Sequence, residues 1–420
     1  MFSCDGSGGL PSWNMRLPLQ HRFVIAVTLG VSACNGPPAT STTSDALAAD
    51  AMTGADAVAD APTDLDPRPP GVGLMHTVAQ LDFLRAHRNQ PPWQAAYQQL
   101  VQDAEAALAR TPDPRVDFNV PFYYADPQAS QAAKECLRQD ALAAYALALG
   151  YQLADTSAKR HQYAVKAIAF LDAWATVNTS ISGADGDLVA MYAGVPLLYA
   201  ADLVMNADDW APARRSAFTT WASTVFRQSA DDIKDRSNNW GAWGTLGAMA
   251  SAALVGNTST VAGEIDRTKL RIENSIAANG ELPEENLRTN SGIWYTYFAL
   301  TSMTAAAQIA RNVSGVDLFG YVAPNGRNIR MALDRHFIYA VHPDQWPYPL
   351  PDGLEGELWQ VLYPCADELE MPTVTGWPGS LFEMMSDVYQ VPAWRDWVVS
   401  SRPLKGYHAW IFVTLARQSP

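Results

Sequence analysis

From His76 onward, apolar positions recur every three to four residues, the spacing that lays one apolar face along a helix. TVAQLDFLRAHR, WQAAYQQLVQDAEAALAR, QAAKECLRQDALAAYALALGYQL and KRHQYAVKAIAFLDAWATV carry the pattern first. LVAMYAGVPLLYAADLVM, GTLGAMASAALVG, GIWYTYFALTSMTAAAQIARN and NIRMALDRHFIYAV continue it. Pro, Gly, Asn and Asp separate these segments, as breaks between helices require. Alternating strand patterns are scarce, and parts of residues 343–375 read ambiguously. The pattern predicts an all-α body of about a dozen antiparallel helices. No fixed repeat length recurs, so periodicity does not support a helical-repeat solenoid. Ala at many inward positions permits close helix approach, and at this point a bundle, a solenoid or a closed α/α toroid are all open.

The pattern stops short of the amino terminus. MRLPLQHRFVIAVTLGVSACNG, from Met15, has Arg16 and Arg22 ahead of a short apolar run and small residues before a cysteine, the parts of a secretory signal. The run is too short to span a bilayer. Val31-Ser32-Ala33-Cys34 resembles a bacterial lipobox, which implies a signal peptide over 1–34 and lipidation at Cys34. Asn35 rather than Asp follows, which by the same resemblance implies the outer membrane, with ordinary signal cleavage as the alternative. Residues 35–70 are rich in Ala, Thr, Asp and Pro and bury too little apolar surface to offset their ordering entropy. They read as a disordered tether, leaving 71–420 as the folded domain.

Composition and charge narrow the function. Apolar residues make up 48% and charged residues 17%, suiting a globular body. The fourteen Trp and sixteen Tyr supply either core or a ring-stacking cleft. A net charge of −14 with no basic run removes nucleic acid as a partner. Such a chain also repels polyanions at long range, so any anion site must be local and built from a few cations. Four cysteines without a CxxC make a zinc site unlikely; Cys136 and Cys365 either pair or stay as buried thiols. No cofactor is expected.

Two segments carry candidate chemistry. In RSNNWGAWG, Asn238 and Asn239 precede an apolar helix with Trp240 and Trp243 beside them. One Asn suffices to cap a helix. A second amide next to large aromatics suits a ligand oxygen with stacking surfaces alongside. In GELPEENLRTNSGIWYTYFAL, Arg288 and Tyr295 stand seven residues apart. On one helix, seven steps nearly complete two turns and put both on one face. A guanidinium beside a phenol favours phenolate and makes Tyr a competent base; a surface Arg lying over a half-buried Tyr is the plainer alternative. Amide donors, one permanent cation and one phenol suit β-elimination from a uronic acid. Neutralising the carboxylate eases loss of the C5 proton, and a Tyr can take that proton and return one to the leaving oxygen.

NNWGAWGTLGAMASAA resembles a segment of the alginate lyases of polysaccharide lyase family five, and LPEENLRTNSGIWYTYFAL is similar, without gaps, to a second. The similarity runs on through AAAQIARNVSGVDL and more loosely back to FYYADPQASQAAKE and LDAWATVN, covering most of residues 75–340. The resemblance implies an incomplete α/α toroid, an acidic polysaccharide substrate, and a catalytic set of Asn239, Arg288 and Tyr295. Asn238, Trp240, Trp243, Tyr124, Trp294, Tyr297 and His342 are the expected substrate-binding residues. The chain departs from the family at Trp240, where the family has His. An indole cannot act as a base. Elimination by Tyr295 alone survives this change, and Trp240 is free to stack on a sugar.

Competing readings attach to other residues. His336 and His342, six apart, suit structural roles, with His342 a candidate replacement for the absent His. Glu284 and Glu285, with Asp352, Glu355 and Glu357, raise a two-carboxylate glycoside hydrolase. DQWPYPLPDGLEGELWQVLYP is expected to line or cover a cleft. A surface lipoprotein that captures acidic glycans is a third reading, weakened because capture needs no phenol. A monomer held to the membrane only by its lipid is expected.

Overall fold

The computed structural model describes residues 73–288, 292–342, 345–348, 376–406 and 408–420. These fall in one unit, Pro62–Pro420, while a second unit, Met1–Ala61, lies wholly outside the described residues. The expectations for the signal peptide, Cys34, the tether, Cys365 and the acidic residues of the 349–375 stretch also lie outside them.

The helices begin where capping residues stand. α1 (Val78–His87) opens on Thr77, which accepts from Gln80 N–H while the Gln80 side chain accepts in return. α2 (Trp93–Leu108) follows, and Asp126 and Thr156 cap α3 (Pro127–Leu153) and α4 (Ser157–Val177). Then come α5 (Gly186–Val204), α6 (Pro212–Trp221), α7 (Arg227–Ile233) and α8 (Asn239–Leu254). Asn257 and Asn328 cap α9 (Thr258–Ser275) and α12 (Ile329–Val341). Between them lie the single turn α10 (Pro283–Asn286) and the long α11 (Gly292–Ser314). α13 (Gly376–Tyr389), α14 (Pro392–Val398) and α15 (Val413–Ala416) end the chain. Strands are confined, among the described residues, to a parallel pair, β1 (Asp117–Asn119) and β2 (Ser180–Ser182), with Phe118 opposite Ile181.

α3 packs on α5, α5 on α8 and α8 on α11, and α2, α4, α7 and α9 back this inner row. α5 is apolar all round and long enough to cross a membrane, yet 78% of its apolar window is buried inside the protein, which makes it a core helix. α3 and α5 run in one direction: Lys134 of α3 lies by Tyr192 of α5, and further along both helices Tyr145 meets Tyr199. The C-terminal segment fills the gap between α11 and α3, with Trp410 Nε1 donating to Thr304 at 2.9 Å and Phe412 packing on Tyr145. Arg417, buried, locks it by donating to the Glu383 carbonyl at 2.7 Å. Inner helices backed by outer ones, with this segment completing the row, make the all-α incomplete α/α toroid that was expected. Cys136 is a buried thiol on α3 whose pKa burial raises.

Candidate active site

The turn between α7 and α8 sets the first part of the site. Arg271 of α9 reaches across it, its guanidinium donating to the carbonyls of Lys234 at 3.0 Å and of Arg236 at 3.2 Å. Gly241 permits this clamp, because a Cβ there would run into the Arg236 carbonyl and the Arg271 guanidinium. Asn238 caps α8 by accepting from Trp240 N–H at 3.2 Å, so its side chain is committed to the helix. Asn239, the first residue of α8, is fully buried. Its backbone N–H donates to Glu285 Oε1, and its Nδ2 donates to Glu285 Oε2 at 2.7 Å. Asn239 Oδ1 is buried and has no partner.

Glu285 is thus tied to Asn239 through both of its oxygens. It is buried on α10 while its neighbour Glu284 is exposed, and both its oxygens accept from Asn239. Burial pushes its carboxyl up to about 7, against the pull of the Asn239 donors and of Arg288. α10 is held from both sides. Glu281, just before it, accepts from Arg335 at 2.8 Å and Tyr348 at 2.5 Å, and Thr296 of α11 donates to Asn286 at 3.0 Å.

Arg288 and Tyr295 do meet, but not on one helix. Arg288 lies beyond the end of α10, and α11 starts only at Gly292. A side chain at Gly292 would strike the Asn286 carbonyl, so the start of α11 lies close against α10 and the pair meets between the two elements. The Arg288 guanidinium carbon stands 4.3 Å from the centre of the Tyr295 ring. Tyr124, 56% exposed on the loop before α3, hydrogen-bonds the Tyr295 hydroxyl with its own. The Tyr123 N–H holds that loop by donating to Asp185 at 2.7 Å. The expected lowering of the Tyr295 pKa is overturned. Burial raises it, and the Tyr124 hydroxyl adds to the rise; Arg288 pulls down but does not win.

The aromatic candidates divide by exposure. Trp294 is half-buried, stacked on Phe298 at 4.7 Å and edge-on to Tyr295 at 5.0 Å. Trp240 is half-buried, with the Arg236 guanidinium 4.0 Å from its ring centre, so a cation already covers one face. Trp243 and Tyr297 are corrections: both rings are buried, at 0% and 1% exposure, and pack in the core instead of offering a stacking face. Tyr297 lies two residues after Tyr295, about 200° round α11. Trp243 sits one turn inside α8 against Phe298 at 4.9 Å.

His342 is exposed after the end of α12, its backbone N–H donating to the Ile338 carbonyl and its own carbonyl accepting from Gln345 N–H. His336 is a core residue stacked on Phe382 at 6.0 Å, with burial lowering its pKa to about 3. Sequence reasoning missed two further neighbours. Arg236 had a signal in its place at the head of RSNNW. His408 had none: it is buried against Phe298 at 5.1 Å and Tyr192 at 5.6 Å, brought there by the C-terminal segment. Among the described residues no group of three or more His, Cys, Asp or Glu side chains could hold a metal ion.

A family model described as alginate lyase matches residues 84–346. An alginate lyase from Bacteroides ovatus shares the fold at a TM-score of 0.65 and 18% identity, over 83% of this chain and 99% of its own. Alginate lyase A1-III from Sphingomonas species A1 shares it at a TM-score of 0.61 and 17% identity, over 81% of this chain and 94% of its own. A histidine-to-alanine variant of alginate lyase A1-III, complexed with a tetrasaccharide, gives 0.65 at 16% identity, over 84% and 96%. A comparison with curated protein sequences gives no match.

Proposed function

The chain belongs to the alginate lyase family and is a polysaccharide lyase, and from that premise we propose that it cleaves alginate, polymannuronate or a related polyuronate by β-elimination at the site of Asn239, Arg288 and Tyr295. The observation that carries this reading is the meeting of Arg288, Tyr295 and the exposed Tyr124, from three separate segments. Arg288 is the permanent cation that a local anion site in an acidic protein requires. Together with Asn239 it offsets the uronate carboxylate, so that charge can spread into it as the C5 proton leaves.

Tyr295 then serves twice. As phenolate it takes the C5 proton; as phenol it returns a proton to the departing glycosidic oxygen, leaving phenolate and a C4–C5 double bond. The resting residue is protonated, since burial raises its pKa. Its proton leaves through the exposed Tyr124 hydroxyl, which together with Arg288 stabilises the phenolate. Trp240 has no basic nitrogen, so this scheme asks nothing of it as a base. Trp240 and Trp294 border the sugar, and the tether and a lipid on Cys34 carry the domain at an outer membrane.

The test is incubation of the folded domain, from about residue 71, with polymannuronate, polyguluronate and glucuronan, read by the ultraviolet absorbance of the new double bond. Absorbance rising on one polymer supports the reading and names the substrate. New reducing ends without absorbance overturn it in favour of hydrolysis, and silence with binding retained favours a capture protein.

A further inference from the structure

Far along α11 from Tyr295 lies a cavity of about 200 Å³. Gln308, on its lining, stands thirteen positions past Tyr295, about 20 Å along the helix at roughly 1.5 Å per residue. The walls come from the chain around the start of α1, from α3, α11 and α13, and from the C-terminal residues 409–418. Filled with solvent, the space holds about six waters at roughly 30 Å³ each, which is also the room that one six-membered sugar ring needs.

Three polar atoms of the lining residues take no hydrogen bond among the described residues. Asn312 donates Nδ2 to the Leu74 carbonyl at 3.0 Å, so its Oδ1 is the atom that accepts from Gln308 Nε2 at 2.9 Å. Gln308, 5% exposed, is thereby left with Oε1 as an unused acceptor. His76, 7% exposed, meets the Tyr145 hydroxyl through Nε2 at 2.7 Å. That hydroxyl is buried with no other acceptor, so it donates to Nε2 and the ring hydrogen sits on Nδ1. Gln80 accepts from Thr77 N–H through Oε1, which leaves its Nε2 as an unused donor. Neither Gln308 Oε1 nor His76 Nδ1 is among the orphaned atoms sealed from solvent, and the cavity is the space these two buried residues border.

We propose that this cavity is a binding site for one neutral monosaccharide or cyclic polyol ring, separate from the site of elimination. Each ring hydroxyl both donates and accepts, which matches one acceptor, Gln308 Oε1, against two donors, His76 Nδ1 and Gln80 Nε2. The C–H groups of the ring meet the apolar walls, to which Trp410 and Phe412 contribute. The lining selects against charge. Burial holds His76 neutral by lowering its pKa to about 4, and Arg311 is already paired with Asp317 at 2.8 Å. Asp387 accepts from the Gln418 N–H at 2.9 Å and from the Ser419 hydroxyl. A carboxylate entering here would meet Asp387 with no unpaired cation on the lining to offset either charge.

The experiment is calorimetric titration and thermal melting of the purified protein with mannose, glucose, galactose and myo-inositol, and with mannuronate as the charged counterpart. Wild type and Arg288→Ala are compared, because the second lacks the cation of the elimination site. Saturable binding of at least one neutral ring is expected in both, with a rise in melting temperature. In Arg288→Ala, mannuronate is expected to bind about tenfold more weakly than that ring. Gln308→Met removes the acceptor at constant length and should weaken the neutral ring about tenfold. If that variant does not fold, Ala416→Leu decides: it fills the cavity from the half-buried wall, keeps every polar atom and should abolish binding. Four results overturn the proposal: no neutral ring binds, binding is lost in Arg288→Ala, mannuronate binds as tightly there, or the cavity variants bind like wild type.

Discussion

The hydroxyls of Tyr124 and Tyr295, 171 positions apart, share one hydrogen bond, and the second of these rings lies under the Arg288 guanidinium. That relationship links an exposed loop to the inner helix α11 and defines where a proton can enter and leave. Removing the Tyr295 hydroxyl should abolish elimination, since that hydroxyl is the group proposed to take and return the proton, with Tyr124 only its hydrogen-bond partner. Tyr295→Phe should show no ultraviolet product while its melting temperature stays close to wild type. Tyr124→Phe should lower kcat by about ten- to a hundredfold, the range of a lost proton-transfer partner.

The pH profile of kcat follows from the same pair. Because burial and Tyr124 raise the Tyr295 pKa, phenolate is the minority form at neutral pH and grows with alkalinity. Wild-type kcat should therefore rise with pH throughout the neutral range. A profile falling from pH 6 to 8 would remove Tyr295 as the base.

Arg288 supplies both charge and a planar face. Arg288→Ala should cost about 10²–10³ in kcat, the typical loss for one transition-state electrostatic partner. Arg288→Lys keeps the charge but loses the flat contact with the Tyr295 ring, and should recover only part of the rate. Steady-state kinetics on the cleaved polymer measures both.

Glu285 makes a prediction about stability that needs no substrate. Its carboxyl rises from the usual 4.5 to about 7 on folding, so the folded chain binds that proton more tightly than the unfolded one. The group's contribution is greatest below 4.5, falls as pH rises to 7 and is flat above. The difference is about 3 kcal/mol at roughly 1.4 kcal/mol per unit. Glu285→Gln does not ionise, so relative to wild type it should gain stability between pH 4 and pH 8. Denaturant titrations at the two pH values check the sign.

Gly241 tests the turn that presents Asn239. A methyl group there would collide with the Arg236 carbonyl and the Arg271 guanidinium, so Gly241→Ala must displace one of them. A destabilisation of about 1–3 kcal/mol is expected, with activity lost further than stability because Asn238 and Asn239 shift together. Thermal melts and initial rates on the same preparation separate the two effects.

Much of this architecture is legible along the chain, because helix formation is governed by neighbours in sequence. The three-to-four-residue apolar spacing, the caps at Thr77, Asn238, Asn257 and Asn328, and the breaks between helices are local, and they read directly as an all-α body. The motifs around Asn239 and Arg288–Tyr295 were visible for the same reason. What each side chain faces was not. Trp243 and Tyr297 carry the same residue types as Trp240 and Tyr295, yet only the packing of α8 against α11 and α5 decides which pair is core and which meets solvent. Arg288 and Tyr295 keep their sequence spacing but meet from beyond the end of α10 and from α11, not along one helix. Glu285 behind Asn239, and His408 among the inner helices, come from segments that nothing local connects to their partners. Sequence order records one-dimensional neighbours; burial, electrostatics and the meeting of hydroxyls depend on distances that only the closed tertiary structure sets.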